Sequence, residues 1–411
     1  WLKPSCVEVG RTEAPRAHAY VRVCSRVVGG CAPRRPPQLL PSRRRGAGWE
    51  MAARVVYPKP RESIDWKNLG FSLFTKDMKM VRSTCAEDGA WGALSVEPYG
   101  ALSLEPAATI LSYGQGIFEG IKAFRTVTGR IVLFRPQKNA ERMASGAEDL
   151  LMPVVPAGHF LEACRLVVRE NADLVPPAGE GALYLRPLLF GSAGELGVKP
   201  SSEYTFAIYV QPVGKYFAGG ARLQVCSYHQ RAAPAGVGHV KYIGNYAQCF
   251  KAQRAAKAEG FSDVIYLDVA GEHIEEAAAS NFFCVDADGV VHTPELGTIL
   301  PGVTRDTVMQ LVGRLQGEGL RLRVGRVTLR QALGAAEAFV TGTGAGITPV
   351  SHLAAGAVST DYACPGPVAA RLQGLLADIQ MERTEDADSW LHDPWRPEGG
   401  AGADPVVRSA L

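Results

Sequence analysis

Residues 236–283 read GVGHVKYIGNYAQCFKAQRAAKAEGFSDVIYLDVAGEHIEEAAASNFF. Lys241 follows the glycine-rich approach GVGHVK and precedes Gly244 and Asn245, which lead into a helix expected over Tyr246–Glu259. A lysine in such a turn has backbone close to it and little side-chain bulk in front, which suits a cofactor aldehyde better than a solvated face. After the helix, Asp263–Asp268 and Phe282–Asp286 read as strands, being β-branched and aromatic runs bounded by turn residues. Glu276 lies between them in EEAAASNFF, a carboxylate in an increasingly apolar context. Taken alone, Lys241 reads first as a surface lysine at a loop-helix junction, and Glu276 as a solvated edge charge. The rest of the chain has to overturn both readings.

Working outward, strands are expected at Met78–Val81, Gly92–Val96, Arg130–Phe134, Ala182–Leu189 and Tyr204–Val210, and helices at Gly116–Ala123, Pro136–Ser145 and Gly158–Asn171. This mixture predicts an α+β domain over residues 55–213. Gly214, Gly219 and Gly220 mark a connecting loop over 214–222. A second domain is expected over 223–392, with further strands at Leu223–Tyr228, Arg321–Arg326 and Glu337–Thr341 and helices at Arg305–Gln316 and Pro367–Met381. Residues 393–411, rich in Gly, Pro and Ala, are expected to form a disordered tail. Residues 1–54 are rich in arginine and poor in acids, the composition of an organelle transit peptide or a disordered extension, and are set apart from the fold.

Among 411 residues, 46% are hydrophobic and 21% charged, ordinary values for a globular protein. The net charge of +3 is small and its basic excess lies largely in the first fifty residues, so no nucleic-acid surface is expected. No apolar run approaches the roughly 18–20 residues of a membrane span. Nine cysteines, an odd number without a CxxC pair, argue against a disulfide framework and a structural zinc site, and no metal is expected.

Four features converge on a phosphate-bearing cofactor at Lys241. In LPGVTRDTVMQLV, Leu300–Val312, Pro301 and Gly302 lead into a helix beginning near Thr304, whose open amides and hydroxyl favour an anion. In TGTGAGITPV, Thr341–Val350, glycines free backbone amides and Thr343 adds a hydroxyl. Arg142, in PQKNAERMASG, can grip a phosphate through two N–H groups. Glu276 is the fourth. Pyridoxal 5'-phosphate uses all of these, because a lysine joins its aldehyde, a carboxylate keeps the ring nitrogen protonated, and Arg, Thr and helix amides hold the phosphate. No HExxH, EF-hand or GxSxG pattern competes.

At these residues the chain resembles the branched-chain amino-acid aminotransferases, class IV enzymes of the D-amino-acid-aminotransferase-like fold (fold type IV), and is most similar to the plant and algal plastid type. The resemblance runs from about Pro58 to about Met381 through EPYGALSLEPAATILSYGQGIFEGIKAFR, LFRPQKNAERM, YLRPLLFGSAGELGV, PVGKYF, VKYIGNYAQCFKAQ, EEAAASNFF, GTILPGVTRD and TGTGAGITPV. It implies reversible transfer of the amino group of leucine, isoleucine or valine to 2-oxoglutarate, with pyridoxal 5'-phosphate as cofactor. Residue by residue, it implies that Lys241 bonds the cofactor aldehyde and moves the proton. It gives Tyr246 the phenolic oxygen and Glu276 the ring nitrogen. Arg142, Val303, Thr304 and Thr343 hold the phosphate, and the Gly344 and Ala345 amides take the substrate α-carboxylate. Tyr113, Phe118, Tyr184, Val198 and Tyr216 wall the side-chain pocket, with Tyr113 and Val198 reaching in from a second subunit, so a homodimer is implied. Arg186 is a retractable cation in that wall, letting one pocket take a leucine side chain or a glutamate γ-carboxylate.

The chain departs from the family at Ala279, where a Thr or Ser is usual, and at AGIT, Ala345–Thr348, which lacks the animal-type CxxC redox pair. A plastid is the expected compartment, with a mitochondrion as the alternative. The alternative activities are a D-amino-acid transaminase, an aminodeoxychorismate lyase or a non-catalytic cofactor-binding scaffold.

Overall fold

Two sheets arise from the alternating apolar segments of the two halves. The computed structural model describes residues 55–86, 88–214 and 219–396. The expected N-terminal extension, Tyr216 and residues 397–411 of the expected tail lie outside the described residues. The first sheet uses β1 (Lys79–Ala86), β2 (Ser95–Pro98), β3 (Gly116–Phe118), β4 (Ile121–Arg125), β5 (Ile131–Phe134), β6 (Ala182–Gly191) and β7 (Glu203–Val213). The second uses β8 (Ala221–Cys226), β9 (Asp263–Leu267), β10 (His273–Ala277), β11 (Asn281–Val285), β12 (Val290–Thr293), β13 (Arg321–Val324), β14 (Val327–Thr328), β15 (Glu337–Gly342), β16 (Gly346–Ala355) and β17 (Val358–Asp361). Strand β18 (Leu391–His392) returns to pair with β5.

In the second sheet the order β11-β15-β16-β8-β9-β10 closes on itself, because β10 also pairs with β11 through Glu276 opposite Asn281. The helices are α1 (Thr109–Tyr113), α2 (Pro136–Asp149), α3 (Ala157–Glu170), α4 (Gly244–Ala247), α5 (Phe250–Ala258), α6 (Val303–Arg314), α7 (Leu329–Leu333) and α8 (Pro367–Gln380). Helix α3 turns Phe160, Ala163, Cys164, Val167 and Val168 inward at helical spacing, onto the core that holds Phe206 and Ile208 of β7. On the second sheet Phe283 and Phe339, both fully buried on β11 and β15, stack with centroids 5.0 Å apart, in the core that includes α6 and α8.

Four expectations are corrected. Gly116–Ala123 is not a helix but β3 and the start of β4. Its two glycines weaken a helix, and β6, ten residues long, offers partners to both short strands. Gly120 is required at the bend between them, since a Cβ there would come 2.1 Å from the Tyr184 hydroxyl. The helix expected over Tyr246–Glu259 breaks at Gln248 and Cys249 into α4 and α5. In TGTGAGITPV only Thr343–Ala345 is a turn, and β16 begins at Gly346, whose φ of 65° suits glycine. At the C-terminal end, Trp390 packs on Phe134, and Asp393 is buried beneath the Tyr57 hydroxyl. The chain expected to leave the fold at Asp393 therefore stays packed through Trp395.

Phe339→Ala removes a stacked, fully buried ring from β15 and is expected to cost about 3–5 kcal/mol. Denaturant unfolding followed by circular dichroism checks this through a lowered midpoint.

Candidate active site

The Lys241 segment is held from both sides. The Phe118 amide donates to the Lys241 carbonyl at 3.1 Å, and the Ile243 amide donates to the Gly116 carbonyl at 3.1 Å. Asn245 ties the glycine-rich approach by donating to the carbonyls of Val237 and Val240. The lysine is thus fixed by backbone pairing with β3 and by one buried amide. Its Nζ donates to the Tyr246 hydroxyl at 3.1 Å and stands 4.5 Å from the Phe118 ring centroid. Phe118 and Tyr246 meet edge to face at 4.8 Å.

Glu276 closes the strand ring and is 2% exposed. Its carboxylate accepts from Arg231 Nη1, from the Leu300 amide at 3.0 Å and from Asn281 Nδ2 at 3.0 Å. Burial pushes this carboxyl above its ordinary range, while Arg231 and the Leu300 amide pull it back toward ionisation. Arg231, itself buried, also lies 5.8 Å from the Tyr246 ring centroid, so it links carboxylate and tyrosine. Sequence reading missed Arg231, because an arginine in the loop stretch RAAPAG carries no signal of burial.

Helix α6 begins at Val303 with Gly302 as an extended N-cap and no side-chain cap. Its first-turn amides have no intrahelical partner, and the Thr304 hydroxyl has none among the described residues. Arg142 reaches this end of the helix by donating from Nη1 to the Pro301 carbonyl at 2.9 Å. Its Nε and Nη2 donate to both oxygens of the fully buried Glu119, at 2.8 and 2.7 Å. Glu119, also bonded by Asn139, therefore aims Arg142, a role the sequence reading did not assign. Arg142, Ser145, His239, Gly302 and Val303 line a cleft of about 330 Å³.

Thr343, Gly344 and Ala345 form the turn from β15 to β16, and no described residue accepts from the amides of Gly344 or Ala345. Ala279 is exposed in the turn from β10 to β11, with its carbonyl beside Gly342. The apolar wall is built on the first sheet. Arg186 lies 4.7 Å from the Phe118 centroid and 5.3 Å from that of Tyr184, and its Nε is buried without a partner among the described residues. Tyr113 and Val198 line a second pocket of about 300 Å³ together with Tyr242, and Lys241 is not among its lining residues. There the Tyr113 hydroxyl donates to the Leu196 carbonyl, and Leu196 and Val198 are 91% and 90% exposed.

Charge tells what this arrangement binds. Glu119 and Glu276 are spent on Arg142 and Arg231. Lys241, Arg186 and Lys122 have no carboxylate within ion-pair distance among the described residues. Basic side chains without acidic partners among the described residues, open helix amides and a lysine held by a tyrosine hydroxyl fit an anionic ligand that reacts with an amine. Such a site is of the class that holds an anionic, amine-reactive ligand against a lysine.

A family model for class IV amino-transferases matches residues 116–353, and the chain belongs to that family. Chloroplastic branched-chain-amino-acid aminotransferase 5 of Arabidopsis thaliana is 41% identical over 80% of this chain and 79% of its own length. Mitochondrial branched-chain-amino-acid aminotransferase 1 of the same plant is 40% identical over 80% and 86%. The crystal structure of the branched-chain amino acid aminotransferase of T.th. with pyridoxamine 5'-phosphate superposes with a TM-score of 0.65, at 30% identity over 78% of this chain and 99% of that one. The α+β architecture is thus fold type IV, and the family's cofactor is pyridoxal 5'-phosphate. The groups present fit it: a lysine amine, open α6 amides, hydroxyls of Thr304 and Thr343 without partners among the described residues, and a buried, oriented carboxylate.

Arg231→Met leaves Glu276 buried without its cation and is expected to destabilise the fold by about 3–5 kcal/mol. Pairing it with Glu276→Gln should recover part of that loss in urea unfolding.

Proposed function

We propose that the chain is a branched-chain amino-acid aminotransferase. It transfers the amino group of leucine, isoleucine or valine reversibly to 2-oxoglutarate, giving the branched 2-oxo acid and glutamate in two half-reactions. The observation that carries this reading is the Lys241 amine, bonded to the Tyr246 hydroxyl and set against a wall of Phe118, Tyr184 and Arg186.

Bound pyridoxal 5'-phosphate supplies an electron sink for the pair left at the substrate Cα when its proton departs. The chain's residues do the rest. Lys241 takes that proton from Cα and would return it at the cofactor's C4', two bonds away across the nitrogen. Tyr246 holds the lysine and would bond the phenolic oxygen. Glu276, whose ionised form Arg231 favours against the cost of burial, would hold the ring nitrogen in its protonated form. Arg142, the Val303 amide, Thr304 and Thr343 would hold the phosphate, and the Gly344 and Ala345 amides the α-carboxylate. Phe118 and Tyr184 provide apolar surface for a branched side chain, and Arg186 provides the charge for a glutamate γ-carboxylate in the same pocket.

Exposed Leu196 and Val198 beside Tyr113 support a homodimer in which Tyr113 and Val198 complete the partner's pocket. The chloroplastic relative and the composition of residues 1–54 support a plastid enzyme with a transit peptide, the mitochondrial relative keeping that compartment as the alternative.

Lys241→Ala is expected to abolish leucine-dependent glutamate formation and the visible absorbance of the purified enzyme, while far-UV circular dichroism stays unchanged. A panel of amino donors with 2-oxoglutarate should favour the three branched L-amino acids. Preference for D-alanine would overturn the assignment.

A further inference from the structure

Gln211 interrupts the apolar run FAIYVQPV of β7, and no role above uses it. Phe206, Ile208 and Val210 point from that strand into the core that α3 covers, so Gln211, of opposite parity, points to the other face. It stands directly opposite Tyr184 of β6, and Tyr209 stands opposite Arg186. Gln211 therefore shares the face that carries Tyr184 and Arg186. It is 5% exposed, and its amide oxygen and amide nitrogen are both buried without a hydrogen-bond partner among the described residues. A buried amide left this way is costly, which points to a partner taken up in another state of the enzyme. Arg186 Nε is likewise buried without a partner among the described residues. The two residues are diagonal neighbours across the ladder, a Cα separation of roughly 7–8 Å that long side chains span. One offers an N–H donor and the other a carbonyl acceptor, while the guanidinium itself lies over the Phe118 and Tyr184 rings.

We propose that Gln211 is a positioning residue that parks Arg186: its amide oxygen accepts the guanidinium when a branched side chain fills the pocket and releases it when a side-chain carboxylate enters. This rests on the aminotransferase reading and deepens it, by naming what receives the cation when the substrate brings no second carboxylate. An amide suits the task because it is polar and uncharged. A carboxylate at the same position would hold the guanidinium in an ion pair and compete with the substrate. An apolar side chain would leave the guanidinium one partner short whenever leucine, isoleucine or valine is bound.

The test mixes holoenzyme with leucine or with glutamate and follows the loss of visible absorbance, so that two side chains are compared in the same half-reaction. Gln211→Met, close to glutamine in shape, should lower the leucine-to-glutamate ratio of the second-order rate constants roughly tenfold, the scale of a lost hydrogen bond to a charged group. Gln211→Glu should shift the ratio the other way by roughly tenfold or more, because its carboxylate holds Arg186 and repels a substrate γ-carboxylate. In an Arg186→Met background, adding Gln211→Met should not move the ratio further, since the residue acts through the arginine. A purely structural role would slow both amino acids alike and would persist without Arg186. The proposal is overturned if Gln211→Met leaves the ratio at its wild-type value, if the two Gln211 variants shift it in the same direction, or if the Gln211→Met shift survives in the Arg186→Met background. Failure of wild-type holoenzyme to react with either amino acid would remove the aminotransferase reading and this proposal with it, whereas the preceding outcomes overturn the proposal alone.

Discussion

A buried carboxylate has to be stabilised before any strand ring can close over it, and Glu276 sits at the closing pair, opposite Asn281. Stripping a carboxylate of water costs several kcal/mol unless ionic and hydrogen-bonding partners replace the solvent. Three donors do so here: Arg231 from the loop before Lys241, the Leu300 amide from the approach to α6, and Asn281 across the ladder. Each belongs to a segment that also carries a functional group. Satisfying one buried charge therefore fixes the positions of Lys241, Tyr246 and the open end of α6 relative to one another.

The same logic repeats at Glu119. Its two oxygens take Arg142, and Arg142 in turn reaches Pro301 at the start of α6. Two acids thus orient two arginines, leaving Lys241, Lys122 and Arg186 without acidic partners among the described residues. The first sheet contributes the wall and the tether to the turn through Lys122, whereas the second contributes the carboxylate, the helix amides and the turn itself. A site assembled from two sheets in this way depends on contacts between them, and Lys122 to Gly344 is one such contact.

Much of this is legible in the chain. Helix α3 is readable because Phe160, Cys164, Val167 and Val168 repeat at helical spacing, and β11 and β15 because their apolar runs are bounded by polar and glycine residues. Lys241 and Glu276 stand out by context, and the family resemblance connects them to Arg142, Thr304 and Thr343. What escapes a reading of the chain is pairing that only tertiary structure creates. Gly116–Ala123 looks helical because its apolar residues also fit a short helical period; the partner strand β6 decides otherwise. Arg231 and Glu119 look like surface charges, since no local pattern reveals that an opposite charge distant in the chain will be buried against each. Lys122 is hidden because its partner, the Gly344 carbonyl, is distant in the chain.

Lys241, and no other lysine, is the residue proposed to join the cofactor. Borohydride reduction of the holoenzyme followed by proteolysis and peptide mass mapping tests it most directly. One modified peptide is expected, carrying a phosphopyridoxyl group on Lys241. Modification at another lysine, Lys122 included, or an unmodified Lys241 in enzyme that still transaminates leucine, would contradict it.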